Sequence, residues 1–144
     1  MSNPEINEFE FNGQTWYGNV VTPEQLEKLT DEQLRLVRFL HDRRRAGYMT
    51  AKTSEIEQKL LLTYEAPGAQ HRSVRLQVRE VNKHVPICSC SRGFFYPCYT
   101  EEVEAYLKAL AKKARSVFQR VRWIAKSVDQ SPEQYVLEGL AEDE

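Results

Sequence analysis

The stretch HRSVRLQVREVNKHVPICSCSRGFFY, residues 71–96, decides how the chain folds. Val74, Val78, Val81 and Val85 are spaced four, three and four apart, so they share one face of a helix. At about 100° per residue, Arg72, Arg75, Arg79 and Lys83 gather on the opposite face, with Asn82 and Leu76 close by. The spacing predicts a helix from about His71 to Lys83, with a valine core on one side and a basic rail on the other. Two short runs rich in Ile, Phe and Tyr then flank Ser91-Arg92-Gly93, which predicts a hairpin with an arginine at its tip.

Upstream, Thr30 caps a helix whose first turn holds Asp31 and Glu32, with Gln33 at the capping-box position. Leu34, Leu36, Val37 and Leu40 form its apolar stripe, Arg43-Arg44-Arg45 fills its last turn, and Gly47 ends it. Thr53 or Ser54 starts a second helix with Ile56, Leu60 and Leu61 inward, and Ala66-Pro67-Gly68 breaks the pattern. Phe9 to Tyr17 reads as a further hairpin around Asn12-Gly13, a favoured turn pair. A lone hairpin is marginal in water, so this one packs on the body or on another chain. Thr22-Pro23 opens a short helical turn. Downstream, Thr100 caps a last helix that begins Glu101-Glu102 and runs to about Val128.

Helix, helix, basic helix, hairpin, helix is the element order of a winged helix-turn-helix. Pro86, Ile87, Cys88, Ser89, Gly93, Phe94, Phe95, Glu101, Glu102 and Val103 carry a more specific likeness. On these residues the span from Leu29 to Lys126 resembles the small winged-helix proteins of bacteriophages and prophages. Cys90, Pro97 and Cys98 depart from that pattern. The resemblance implies a mainly α fold with small β-hairpins, a winged helix-turn-helix followed by a long C-terminal helix. It also implies duplex DNA as partner, a role as accessory or regulator of transcription or replication, and the cytoplasm of a bacterial or phage-infected cell.

In such a fold the third helix lies in the major groove. Arg72 and Arg75 then lie nearest the bases, where arginine matches guanine. Arg79, Asn82, Lys83, Arg43, Arg44, Arg45 and Lys52 are expected on phosphates, and Arg92 in the minor groove or on phosphate. The competing explanation is a solvated helix face with local ion pairs. The last helix adds an interaction signal. Val103, Leu110, Val117 and Ile124 recur every seven residues, and Leu107, Ala114, Val121 and Val128 fill the second seam position. Leu110, Val117, Phe118, Val121 and Ile124 are therefore expected at a homodimer interface, while Tyr106 and Leu107 cover the core. The alternative is that the aromatic hairpin folds back over this helix.

Composition sets the bounds. The 144 residues are 41% hydrophobic and 28% charged, enough for one ordinary core, and carry a net charge of -1. That total hides an asymmetry. Residues 35–128 carry 19 basic and 8 acidic side chains, a local charge of +11, between two acidic ends. A basic centre suits a polyanion. No apolar run approaches the ~20 residues of a membrane span. The acidic first residues do not read as a secretory signal, and three cysteines make no disulfide framework.

Cys88, Cys90 and Cys98 with His84 could supply a zinc set, Cys88 and Cys90 sharing one strand face. Buried thiols acting as small hydrophobes are the simpler account, and no metal or cofactor is expected. No phosphate loop, H-E-x-x-H or nucleophile elbow is present, so binding rather than catalysis is expected. His41 and His71 read as surface or cap residues. The expected layout is a hairpin arm over 1–28, a winged-helix domain over 29–100, an amphipathic helix over 101–128 and an acidic tail over 129–144. A module that docks on a host protein is the second functional expectation.

Overall fold

A computed structural model describes residues 5–60 and 69–135, with side chains of the second stretch described from Val74. Leu61, the Pro67 break, the Arg72 side chain and the acidic residues beyond Tyr135 lie outside the described residues. Two antiparallel hairpins and five helices follow in the order β1 (Glu8–Phe11), β2 (Gln14–Tyr17), α1 (Pro23–Leu26), α2 (Asp31–Arg45), α3 (Thr53–Leu60), α4 (Ala69–Val81), β3 (Cys88–Cys90), β4 (Gly93–Phe95) and α5 (Thr100–Ser127). The chain is mainly helical, with two small hairpins and a long C-terminal helix. It divides into two compact units, residues 1–106 and 107–144.

Local chemistry explains the elements of the first unit. Asn12 and Gly13 both have positive φ, 52° and 73°, the backbone of a tight hairpin turn, and Phe9 pairs with Trp16 across it. Thr22 and Thr30 each build a capping box, with Gln25 and Gln33 answering. Val74, Val78, Val81 and Val85 are all buried, as the four-three-four spacing predicts. They join Leu36, Val37, Leu40, Ile56 and Ile87 in one core.

The β1–β2 hairpin is part of this body rather than a separate arm. Trp16 is fully buried against Tyr96 and His41, and the Arg38 guanidinium lies 4.9 Å from its ring centre. His41 departs from its expected surface place: it is buried. The Tyr17 N–H donates to its Nε2 at 3.0 Å, which fixes the other nitrogen, Nδ1, as donor to Asp42 at 2.9 Å. A heptad-free reading of 9–17 shows four aromatics but not which of them faces the core. Only the pairing register decides that.

One backbone contact organises the other hairpin. Ala51, in the connection between α2 and α3, exchanges two hydrogen bonds with Phe94 of β4, at 2.8 and 2.9 Å. Gly93 makes this possible. Its φ is +137°, and a Cβ there would collide with the Ala51 carbonyl.

In the second unit, large apolar side chains of α5 are exposed, among them Leu110, Val117, Phe118 and Ile124. Val121 is half-buried. Leu107, expected to cover the core, is 56% exposed. At the end of α5 the Gln130 N–H returns to the Ala125 carbonyl, Asp129 has φ 58°, and Ala125 is buried. No described helix is long and apolar enough to cross a membrane.

Candidate nucleic-acid interface

The expected contact residues separate into free and engaged groups once the side chains are placed. On the outer face of α4, Arg75, Leu76, Arg79 and Lys83 are exposed. Arg75 has no ion-pair or hydrogen-bond partner among the described residues. Lys83 pairs with Glu80 at 2.9 Å, a surface pair open to competition. Lysine and Arg79 together hold the exposed Glu80 carboxyl below its usual range, Lys83 first. At the β3–β4 turn Arg92 is exposed, and Lys52, one residue from the Ala51 bridge, is exposed as well. Neither side chain has a partner among the described residues.

Four expected contacts take other work. Arg44 is withdrawn into the body. Its two terminal nitrogens grip both oxygens of Glu102 at 3.0 and 2.7 Å, and Nη1 also donates to the Tyr96 carbonyl at 2.8 Å. This bidentate geometry is the strong form of an arginine–carboxylate pair. Arg43 pairs with Glu55 at 2.9 Å and donates to the Thr50 carbonyl at 3.0 Å, which ties α2 to the start of α3. Arg45 stacks over Tyr17, 3.9 Å from the ring centre, and so fastens β2 to α2 while staying exposed. Asn82 accepts from the Ile87 N–H at 2.9 Å and holds the turn between α4 and β3. Three consecutive arginines at a helix end look alike in a sequence; only their neighbours across the fold separate a tether from a free cation.

Glu102 is the residue the sequence undersold. As one of two acids in a first helical turn it reads as a dipole partner. In the structure it also accepts from the Cys98 and Tyr99 N–H groups at 2.8 and 3.1 Å. Burial would raise its carboxyl, but the Arg44 bond and the two N–H donors outweigh burial and hold it below the usual carboxylate range.

The three cysteines are free thiols. Among the described residues no group of three or more His, Cys, Asp or Glu side chains could hold a metal ion. Cys88 and Cys98 are buried and Cys90 is exposed. Burial pushes the Cys88 thiol up to about 11 and raises that of Cys98, which keeps both protonated.

Among the described residues expected from the sequence to make contacts, Arg75 on α4, Arg92 at the β3–β4 turn and Lys52 beside the Ala51 bridge are exposed and carry no ion pair. The chain matches no protein-family model, no curated protein and no solved structure. Function then rests on the geometry of these residues alone. Arg75, Arg92 and Lys52 offer positive charge without a competing carboxylate, and arginine suits both phosphate and guanine edges.

Proposed function

We propose that the protein is a winged-helix, duplex-DNA-binding factor of the bacterial or phage-infected cytoplasm, acting as a dimer in the control of transcription or replication. The observation that carries this is the order α2, Ala51 bridge, α3, α4, β3–β4. In a winged helix a short strand between the first two helices pairs with the hairpin that follows the third, and Ala51 with Phe94 matches that arrangement. On this scheme α4 is the helix offered to the major groove, and its valines and cations already divide between core and solvent.

The contact set is narrower than the sequence suggests. Arg75, Arg79, Lys83 and Arg92 supply the main contacts, with Lys52 beside them and Arg45 at the margin. Binding is electrostatic in large part, so it falls steeply with salt. The α5 seam, with Leu110, Val117, Phe118, Val121 and Ile124, supplies self-association at heptad spacing. A gel-shift series with random duplex across salt concentrations tests the proposal. Binding at low salt that is lost on Arg75→Ala with Arg92→Ala supports it, and parental binding by that variant refutes it.

One observation favours a second class. Leu76 is 57% exposed in the middle of the α4 outer face. A protein-docking module uses such a residue as an anchor, whereas duplex DNA needs it only against a thymine methyl. Failure of the full chain to bind any duplex at low salt favours docking on a host protein.

A further inference from the structure

Heptad spacing accounts for one face of α5 and leaves the other unexplained. Between Glu104 and Asp129 the chain holds seven lysines and arginines and no acid. A solvated helix ordinarily mixes both signs at i,i+4, which relieves repulsion. Here five of the seven, Lys108, Lys112, Arg115, Arg122 and Lys126, fall within an arc of about 80° on a helical wheel, spread along about 27 Å. All five are exposed. None forms an ion pair among the described residues. Glu133 lies close enough to feel Arg122 and Lys126, yet its own backbone N–H and Ser131 do more to hold its carboxyl low.

Trp123 is the second observation. It is 64% exposed, the most exposed of the large apolar side chains described. On the wheel it falls about 20° beyond Lys112, on the cationic flank, and roughly opposite the seam residues Ala114 and Val121. A second copy packed on the seam leaves this indole in water. So does a lipid surface taken up by the seam. The occupant of the Trp123 face has to offer negative charge along a line and a flat ring at its side. Duplex DNA offers the charge but keeps its base faces stacked on one another. A single strand offers both phosphodiesters and open base faces.

We infer that the cationic flank of α5 is a binding surface for single-stranded nucleic acid, with Trp123 as a stacking platform for a base and Lys112, Arg122 and Lys126 on neighbouring phosphates. This surface is built from α5 residues alone and does not rest on the duplex-binding reading.

The test uses the full chain and a fluorescein-labelled oligothymidylate of about 20 nucleotides, at about 50 mM salt, with anisotropy and intrinsic emission as readouts. Trp16 is fully buried, so a stacking base should act on the Trp123 emission. The strand is expected to quench that emission. Trp123→Ala is expected to remove the quench and to weaken binding roughly five- to 150-fold, the range of one lost base stack. The combined variant Lys112→Gln, Arg122→Gln, Lys126→Gln is expected to weaken binding at least about tenfold and flatten the salt dependence. Arg75→Ala with Arg92→Ala is expected to keep strand binding, which separates the two surfaces. The inference is overturned if the parent fails to bind the strand, or if Trp123→Ala, folded by circular dichroism, binds as tightly as the parent. It is also overturned if Trp123→Ala dissociates a dimer in light scattering. A further contrary result is a blue shift with phosphatidylglycerol vesicles alongside no response to the strand.

Discussion

Replacing Glu102 by Gln removes one charge from the tie between α2 and α5's first turn. The carboxylate accepts four hydrogen bonds: from Cys98 and Tyr99 backbone N–H groups and from both Arg44 terminal nitrogens. A glutamine keeps one oxygen for the backbone donors but turns an NH2 group toward an Arg44 nitrogen, donor against donor. Losing a hydrogen bond between charged groups costs about 1.5–3 kcal/mol. Glu102→Ala goes further, because it strands a guanidinium that is only 16% exposed. Breaking a buried pair from one side costs about 3–5 kcal/mol, and the residual solvent access here puts Glu102→Ala near the lower figure, about 3 kcal/mol. For a unit of this size each kcal/mol moves the melting temperature by about 4–8 °C.

Urea and thermal unfolding followed by far-ultraviolet circular dichroism measure both variants, and Arg44→Gln closes a double-mutant cycle. The sign of the pH effect is fixed as well. A carboxyl held below its unfolded value stabilises above that unfolded value and loses the contribution as pH falls through the folded one. The gap between the parent and Glu102→Gln should therefore narrow in acid. A Glu102→Gln variant within about 0.5 kcal/mol of the parent, or a coupling energy near zero, refutes the structural role given to this pair. Loss of duplex binding by folded Arg44→Gln refutes the removal of Arg44 from the contact surface.

Arg75→Ala with Arg92→Ala removes two free cations, so the log–log salt slope of duplex binding should flatten by about 1.8, read by anisotropy. Burial holds the His41 imidazole below its usual range, although Asp42 pulls the other way. The unfolded chain takes up that proton first, so stability should decline as pH drops below about 6.5, and His41→Gln should remove that part of the decline in an unfolding series. Gly93→Ala forces a side chain into a positive-φ position against the Ala51 carbonyl and should cost at least about 1–3 kcal/mol in urea unfolding. Val117→Asp with Ile124→Asp places charge in the α5 seam and should yield a monomer by light scattering.

Much of the framework was legible because periodic patterns encode faces. The valine spacing in α4, the two capping boxes and the Asn12-Gly13 turn each rest on interactions within a few residues, and each appears where the pattern puts it. Long-range choices were not legible. Trp16, His41 and Tyr96 meet from positions far apart in the chain, and no local pattern announces their meeting. Arg43, Arg44 and Arg45 share one sequence context yet find a carboxylate and a carbonyl, a second carboxylate, and an aromatic ring. The cationic flank of α5 was written in the sequence throughout. Heptad spacing drew attention to the seam and away from the uninterrupted run of positive charge beside it.

The first hairpin acts as a plug, and that makes the early residues unsuitable for trimming. A chain begun at Gly18 would lose the indole packed against His41 and Tyr96, the ring beneath Arg45 and the N–H that selects the imidazole tautomer. Such a shortened protein would present a wet aromatic hole on α2 and invite aggregation, whereas an affinity tag placed ahead of Glu5 leaves the plug seated. Anyone preparing fragments of this molecule should cut after the hairpin only if a replacement for the indole is supplied.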